Sequence, residues 1–135
     1  MKKILILSFF IISAVTLYSC INILEIGKWD DNIHLSAKAV TFNASGDSAI
    51  IKTGGTSWWI SGISVDTTYY YGFNDVNMLA DKYSIKKDCF LVERRDKNTL
   101  FVRVDANPLN VIRTIIVGFE AGDYFDRVTI TQKAD

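Results

Sequence analysis

Between Thr99 and Gln132 apolar and polar residues alternate with a period of two, and this alternation constrains the chain more than any other feature. Leu100, Val102 and Val104 interleave with Phe101, Arg103 and Asp105, while Val128 and Ile130 interleave with Arg127, Thr129 and Thr131. A helix would scatter such residues around its axis. A strand sends them to opposite faces, so each segment predicts a half-buried strand. Four strands are expected over residues 90–94, 99–105, 113–119 and 124–132, separated by 95–98, 106–112 and 120–123. Pro108 falls between strands, where its missing N–H removes no ladder bond.

Upstream, residues 35–43 read as a strand pair or one bent strand, 48–53 as the next strand, and 57–65 as a strand rich in aromatic and β-branched residues. Gly46 with Asp47, and Gly54 with Gly55, supply turn chemistry between them. Trp59, Ile63 and Val65 share one parity and are expected to face the core. Period two then sends Trp58 to the opposite face, most simply beneath the tyrosine-rich loop that follows. That loop spans 67–88, with Met78, Leu79 and Ala80 as a brief helical turn; long loops in compact domains are uncommon and often functional. About seven short antiparallel strands with frequent turns predict an all-β, immunoglobulin-like β-sandwich, with a small barrel as the alternative.

The N-terminus carries a different signal. Lys2 and Lys3 precede an apolar run from Ile4 to Leu17, and small Ser19 stands before Cys20, which is the tripartite pattern of a secretory signal. The run is shorter than the roughly 20 apolar residues of a membrane-spanning helix. Leu17, Tyr18, Ser19 and Cys20 resemble the lipobox of bacterial lipoproteins. The resemblance implies cleavage before Cys20, a thioether-linked diacylglycerol on its sulfur and acylation of the new amino group. More than one acyl chain gives stable anchoring, so an outer membrane lipoprotein facing the periplasm or the cell exterior is expected. The chain divides accordingly into a signal peptide at 1–19, a tether at 20–33 and one domain at 34–135. Cys89 would be left unpaired, and its neighbours Phe90, Leu91 and Val92 point to burial.

With Lys2 and Lys3 removed from the 15 basic residues, 13 remain against 15 acidic ones, a formal net charge of −2. Nucleic-acid binders show a basic face that neutralises phosphate, so no nucleic-acid partner is expected. The one dense basic cluster, Arg94 to Lys97, is interrupted by Asp96 and reads as a solvated turn.

The C-terminal segment has an order of its own. Alternation ends in Asp105; Asn107, Arg113 and a strand follow, then a Gly122 turn with Tyr124 and Phe125, and a last strand closing on Gln132. With Trp58 and Trp59 upstream, residues 35–133 resemble the BACON and BACON-like domains. Their name records abundance in Bacteroidetes and a proposed carbohydrate-binding role. The resemblance implies an immunoglobulin-like sandwich on an envelope protein of a gut-type bacterium. Asn107, Arg113 and Gln132 are expected to satisfy turn and sheet-end backbone groups rather than to hold a ligand.

Catalytic chemistry is sparse. His34 is the only histidine, which excludes a histidine cluster for zinc and leaves one possible base for any triad. Gly62, Ile63 and Ser64 begin like a nucleophile elbow, but Asp66 stands where its closing glycine belongs. Asp47, Asp66, Asp75, Asp81, Glu93, Glu120, Asp123 and Asp126 are scattered over turns, and glycoside hydrolysis needs two carboxyls at a set separation. No enzyme, cofactor or metal site is expected. Sugars present apolar C–H faces that lie on exposed rings, and Trp58, Tyr69, Tyr70, Tyr71 and Phe73 form the expected ligand-binding set. Two function classes follow: a membrane-anchored module that engages glycan or an envelope protein, and an accessory lipoprotein that only holds a position.

Overall fold

The structure is a computed structural model that describes residues 29–135; the signal peptide, Cys20 and most of the tether lie outside the described residues. Nine strands follow one another: β1 (Ala39–Phe42), β2 (Gly46–Lys52), β3 (Trp59–Val65), β4 (Thr68–Tyr70), β5 (Tyr83–Lys87), β6 (Phe90–Asp96), β7 (Thr99–Asp105), β8 (Arg113–Ala121) and β9 (Tyr124–Gln132). They form a five-stranded sheet of order β1-β9-β8-β3-β4 and a four-stranded sheet of order β2-β7-β6-β5. This is the immunoglobulin-like sandwich that the alternation implied.

Two of the nine strands lie inside the segment expected to be loop. β4 folds back on β3 through a turn in which Asp66 adopts φ 50°, pairing Ile63 with Tyr70 and Ser64 with Tyr69. β5 pairs with β6 across a turn holding Asp88 at φ 32°. With three and five residues they offer too little alternation to stand out. Met78 to Ala80 is a turn closed by the Ala80 N–H on the Asn77 carbonyl, 3.1 Å, and not helical. β1 also departs from the all-antiparallel expectation by running parallel to β9. The chain changes sheets at 43–45, so β1 pairs with the last strand instead of with β2.

Between the sheets lies one apolar core. β8 contributes Ile115, Val117 and Phe119, β9 contributes Val128 and Ile130, and β7 contributes Leu100, Val102 and Val104, all buried. Each such side chain stabilises the fold by about 1.5–3 kcal/mol on burial.

The parity expected for β3 holds only in its lower half. A bulge between Ile60 and Gly62 inserts Ser61 without a partner, and one extra residue reverses which face every later side chain takes. Ile63 and Val65 therefore point inward as expected. Above the bulge Trp58 and Ile60 point inward, Trp58 only 1% exposed, while Trp59 is half-buried beside Glu120. Trp58 packs on Phe119 with ring centroids 5.2 Å apart, and its Nε1–H donates to Thr53 Oγ1 at 2.9 Å. Trp58 thus belongs to the main core and not to a satellite under the tyrosines.

Polar side chains close both ends of the sandwich. Arg94, expected in a solvated turn, continues the inward parity of Phe90 and Val92 and is buried. Its guanidinium donates to the Thr56 carbonyl at 2.6 Å and the Ala80 carbonyl at 3.2 Å, and lies 4.3 Å from the Trp58 ring centroid. At the other end Gln132 donates to the Asn43 and Asp105 carbonyls and accepts from Arg113, all at 3.0–3.1 Å. Asn107, equally buried, donates to the carbonyls of Val111 and Lys133. These are the backbone-satisfying roles expected of Asn107, Arg113 and Gln132. Cys89 is half-buried against the core and forms no disulfide among the described residues.

Candidate functional site

The expected aromatic set is divided by the fold. Trp58 lies in the core, almost wholly buried. Tyr70 turns inward from β4, meets Phe90 edge-on at 5.3 Å and donates its hydroxyl to Asp88 at 2.5 Å. That hydrogen bond, ahead of burial, raises the Tyr70 phenol above its ordinary pKa. Phe73 packs half-buried against the core. Only Tyr69 and Tyr71 remain uncovered, 63% and 74% exposed, with their rings tilted against each other at 5.8 Å.

Strand register explains the separation and supplies new members. On the outer face of the five-stranded sheet Trp59, Glu120 and Phe125 form one cross-strand row, and Gly62, Gly118 and Arg127 form the next. Below them Tyr69, Ser64, Ile116 and Thr129 form a third. Phe125 is 63% exposed, like Tyr69. Between these two rings lies a depression bordered by Ser61, Ser64, Ile116, Gly118 and Arg127.

Two glycines shape its floor. A Cβ on Gly62 would come within 2.8 Å of the Tyr69 hydroxyl, and one on Gly118 within 2.9 Å of Ser61 Oγ. Their bareness lets the tyrosine ring and the serine lie close to the sheet. A glycine inside a strand often marks such an approach. The bulge contributes as well, since it aims Ser61 across β8. Flat rings flanked by hydroxyls can stack on an apolar sugar face and bond to the groups around it.

Sequence reasoning put Phe125 at the start of the last strand, outside the expected ligand-binding set, and Trp59 in the core. The signal that could have found this surface is the pair of isolated glycines within strand patterns, Gly62 and Gly118. A second exposed apolar group, Leu109, Val111 and Ile112, occupies the loop before β8. It offers no ring to stack on.

A solved NMR structure of a protein from Bacteroides thetaiotaomicron is similar to this chain with a TM-score of 0.64. It is 22% identical, over 82% of this chain and 93% of that one. The likeness establishes the fold. A Bacteroides ovatus GH5 xyloglucanase in complex with a XXXG heptasaccharide aligns at TM-score 0.45 and 19% identity, over 73% of this chain but 17% of that one. This superposition is too loose to argue from. No protein-family model and no curated protein matches the chain.

Proposed function

We propose that the protein is a lipid-anchored envelope protein whose BACON-like sandwich binds glycan without catalysing a reaction. The observation that carries this reading is the gathering of exposed rings, Tyr69, Tyr71 and Phe125, on the outer face of one sheet. Single exposed rings are ordinary, but several on one face mark an interaction surface. The lipobox-like run Leu17 to Cys20 supports the anchor at Cys20, which would hold the domain at the outer membrane.

Two measurements test the reading. Full-length protein applied to a broad glycan panel should bind at least one glycan, and the Tyr69→Ala Phe125→Ala double variant should lose that signal. Silence across the whole panel would overturn glycan binding. Cells fed labelled fatty acid should incorporate it into wild-type protein and not into Cys20→Ala; unlabelled wild type would overturn the anchor.

A further inference from the structure

We infer that the depression between Tyr69 and Phe125 takes several consecutive uncharged sugar units from within a polysaccharide, laid across the strands, and not a single sugar or an acidic polymer. This inference rests on the glycan-binding reading above and specifies its ligand.

Its first support is dimension. Tyr69 projects from β4 and Phe125 from β9, with β3 and β8 between them. Strands lie about 4.8 Å apart and rise about 3.3 Å per residue, so the two ring-bearing positions, three strands and two rows apart, are separated by roughly 20 Å of backbone. One pyranose on one ring would leave the other unused, whereas a chain laid along the row Gly62, Gly118 and Arg127 meets both. Two linked contacts then reinforce each other, because the second forms at high effective concentration.

β4 is the edge of the sheet, where the exposed Tyr71 stands beside Tyr69, and beyond β9 the short strand β1 carries the small residues Ala39 and Thr41 next to Thr129 and Thr131. A ligand can therefore continue past the surface on both sides, as an internal segment must.

Charge selects the chemical class. Asp126 and Arg127 are the formal charges that line the depression, and they balance. An acidic polymer would find no net positive surface here. Uncharged hydroxyls are matched instead by Ser61, Ser64, the Tyr69 phenol and the Arg127 guanidinium bordering the depression.

The glycines give the inference a selective test. Gly62→Val would drive a side chain into the space of the Tyr69 hydroxyl and lift the ring from the sheet. That hydroxyl is the far end of a flexible side chain, so it can yield. A β-branched residue on an outward strand position suits the strand itself. Binding should therefore fall without a loss of stability, which a purely structural glycine would not produce.

Affinity gel electrophoresis of the full chain should use gels containing soluble neutral glucan, mannan or xylan, and a polyuronate for contrast. At least one neutral polymer should retard the protein, and its constituent monosaccharide should fail to compete. Gly62→Val and Phe125→Ala should each weaken retardation roughly tenfold, as loss of a stacked ring implies, with melting midpoints unchanged. Ile50→Ser on the opposite sheet should behave as wild type. Retardation by polyuronate alone, equal competition by the monosaccharide, or undiminished binding by both variants would overturn the inference while leaving glycan binding intact. No retardation by any polymer would remove the glycan reading itself.

Discussion

The two outer faces of this sandwich are built by the same period-two pattern and end up chemically unlike. On the four-stranded sheet the outward residues include Lys52, Lys86, Arg95 and Arg103, and its aromatic residue is covered: the Arg95 guanidinium carbon stands 3.6 Å from the Phe101 ring centroid. Glu93 holds Arg95 there at 3.0 Å. On the five-stranded sheet the outward residues include glycines, a serine, a threonine and rings beside Glu120 and Arg127, and Tyr69, Tyr71 and Phe125 have no such cover. A long charged side chain shields apolar surface while keeping its head in water. Its presence over Phe101 and absence over Phe125 distinguishes a face that is merely solvated from one that is available.

The largest effect expected lies beneath both faces. Trp58→Ala removes the ring packed on Phe119 and under Arg94, and should destabilise the protein by about 3–5 kcal/mol. Thermal melts would check this, and an unchanged midpoint would break the assignment of Trp58 to the core. Gln132→Leu comes next, because it removes the buried amide that bonds the Asn43 and Asp105 carbonyls and the Arg113 guanidinium at the closed end. Unsatisfied buried groups cost about 1–3 kcal/mol, readable by denaturant unfolding. Neither variant should alter one outer face more than the other.

The faces themselves separate at smaller energies. Arg95→Ala uncovers Phe101 and should cost about 0.5–1 kcal/mol, the worth of an exposed cation–π contact. Phe125→Ala should stay within about 0.5 kcal/mol of wild type, as surface changes do. Similar losses at the two positions would erase the contrast.

Smallest is the acid response of two carboxylates held by backbone N–H groups. The His34 backbone N–H is the main cause that lowers the Asp31 carboxyl, and the Asn98 N–H does the same for Asp96. Both groups bind protons less readily folded than unfolded. Their stabilisation is therefore present above the ordinary carboxylate range and lost as pH falls through their lowered values. Melting midpoints of Asp31→Asn should change less than wild type between about pH 5 and pH 2; an identical slope would remove Asp31 from that account.

Much of this was legible before any coordinates. Strands β7, β8 and β9 fall where their alternation placed them, because a run of seven to nine residues states its own period. Asn107 and Gln132 also took the backbone-satisfying roles that their position implied. Within the tyrosine run Tyr70 turns inward while Tyr69 and Tyr71 stay out, an ordinary consequence of β4 being a strand.

Local pattern determined the all-β class, the positions of the long strands and which of their residues face inward, since these follow from side-chain alternation along one strand. Only the tertiary structure decided that Trp58 is core and Trp59 is not, that Arg94 is buried, and that Phe125 joins Tyr69 across a glycine floor. A bulge depends on the partner strand and not on the residues around it, so the single extra residue at Ser61 is invisible locally while it exchanges the fates of two adjacent tryptophans. The surface on which the proposed function rests is likewise a product of cross-strand register. It brings together residues 69 and 125, which no reading along the chain would pair.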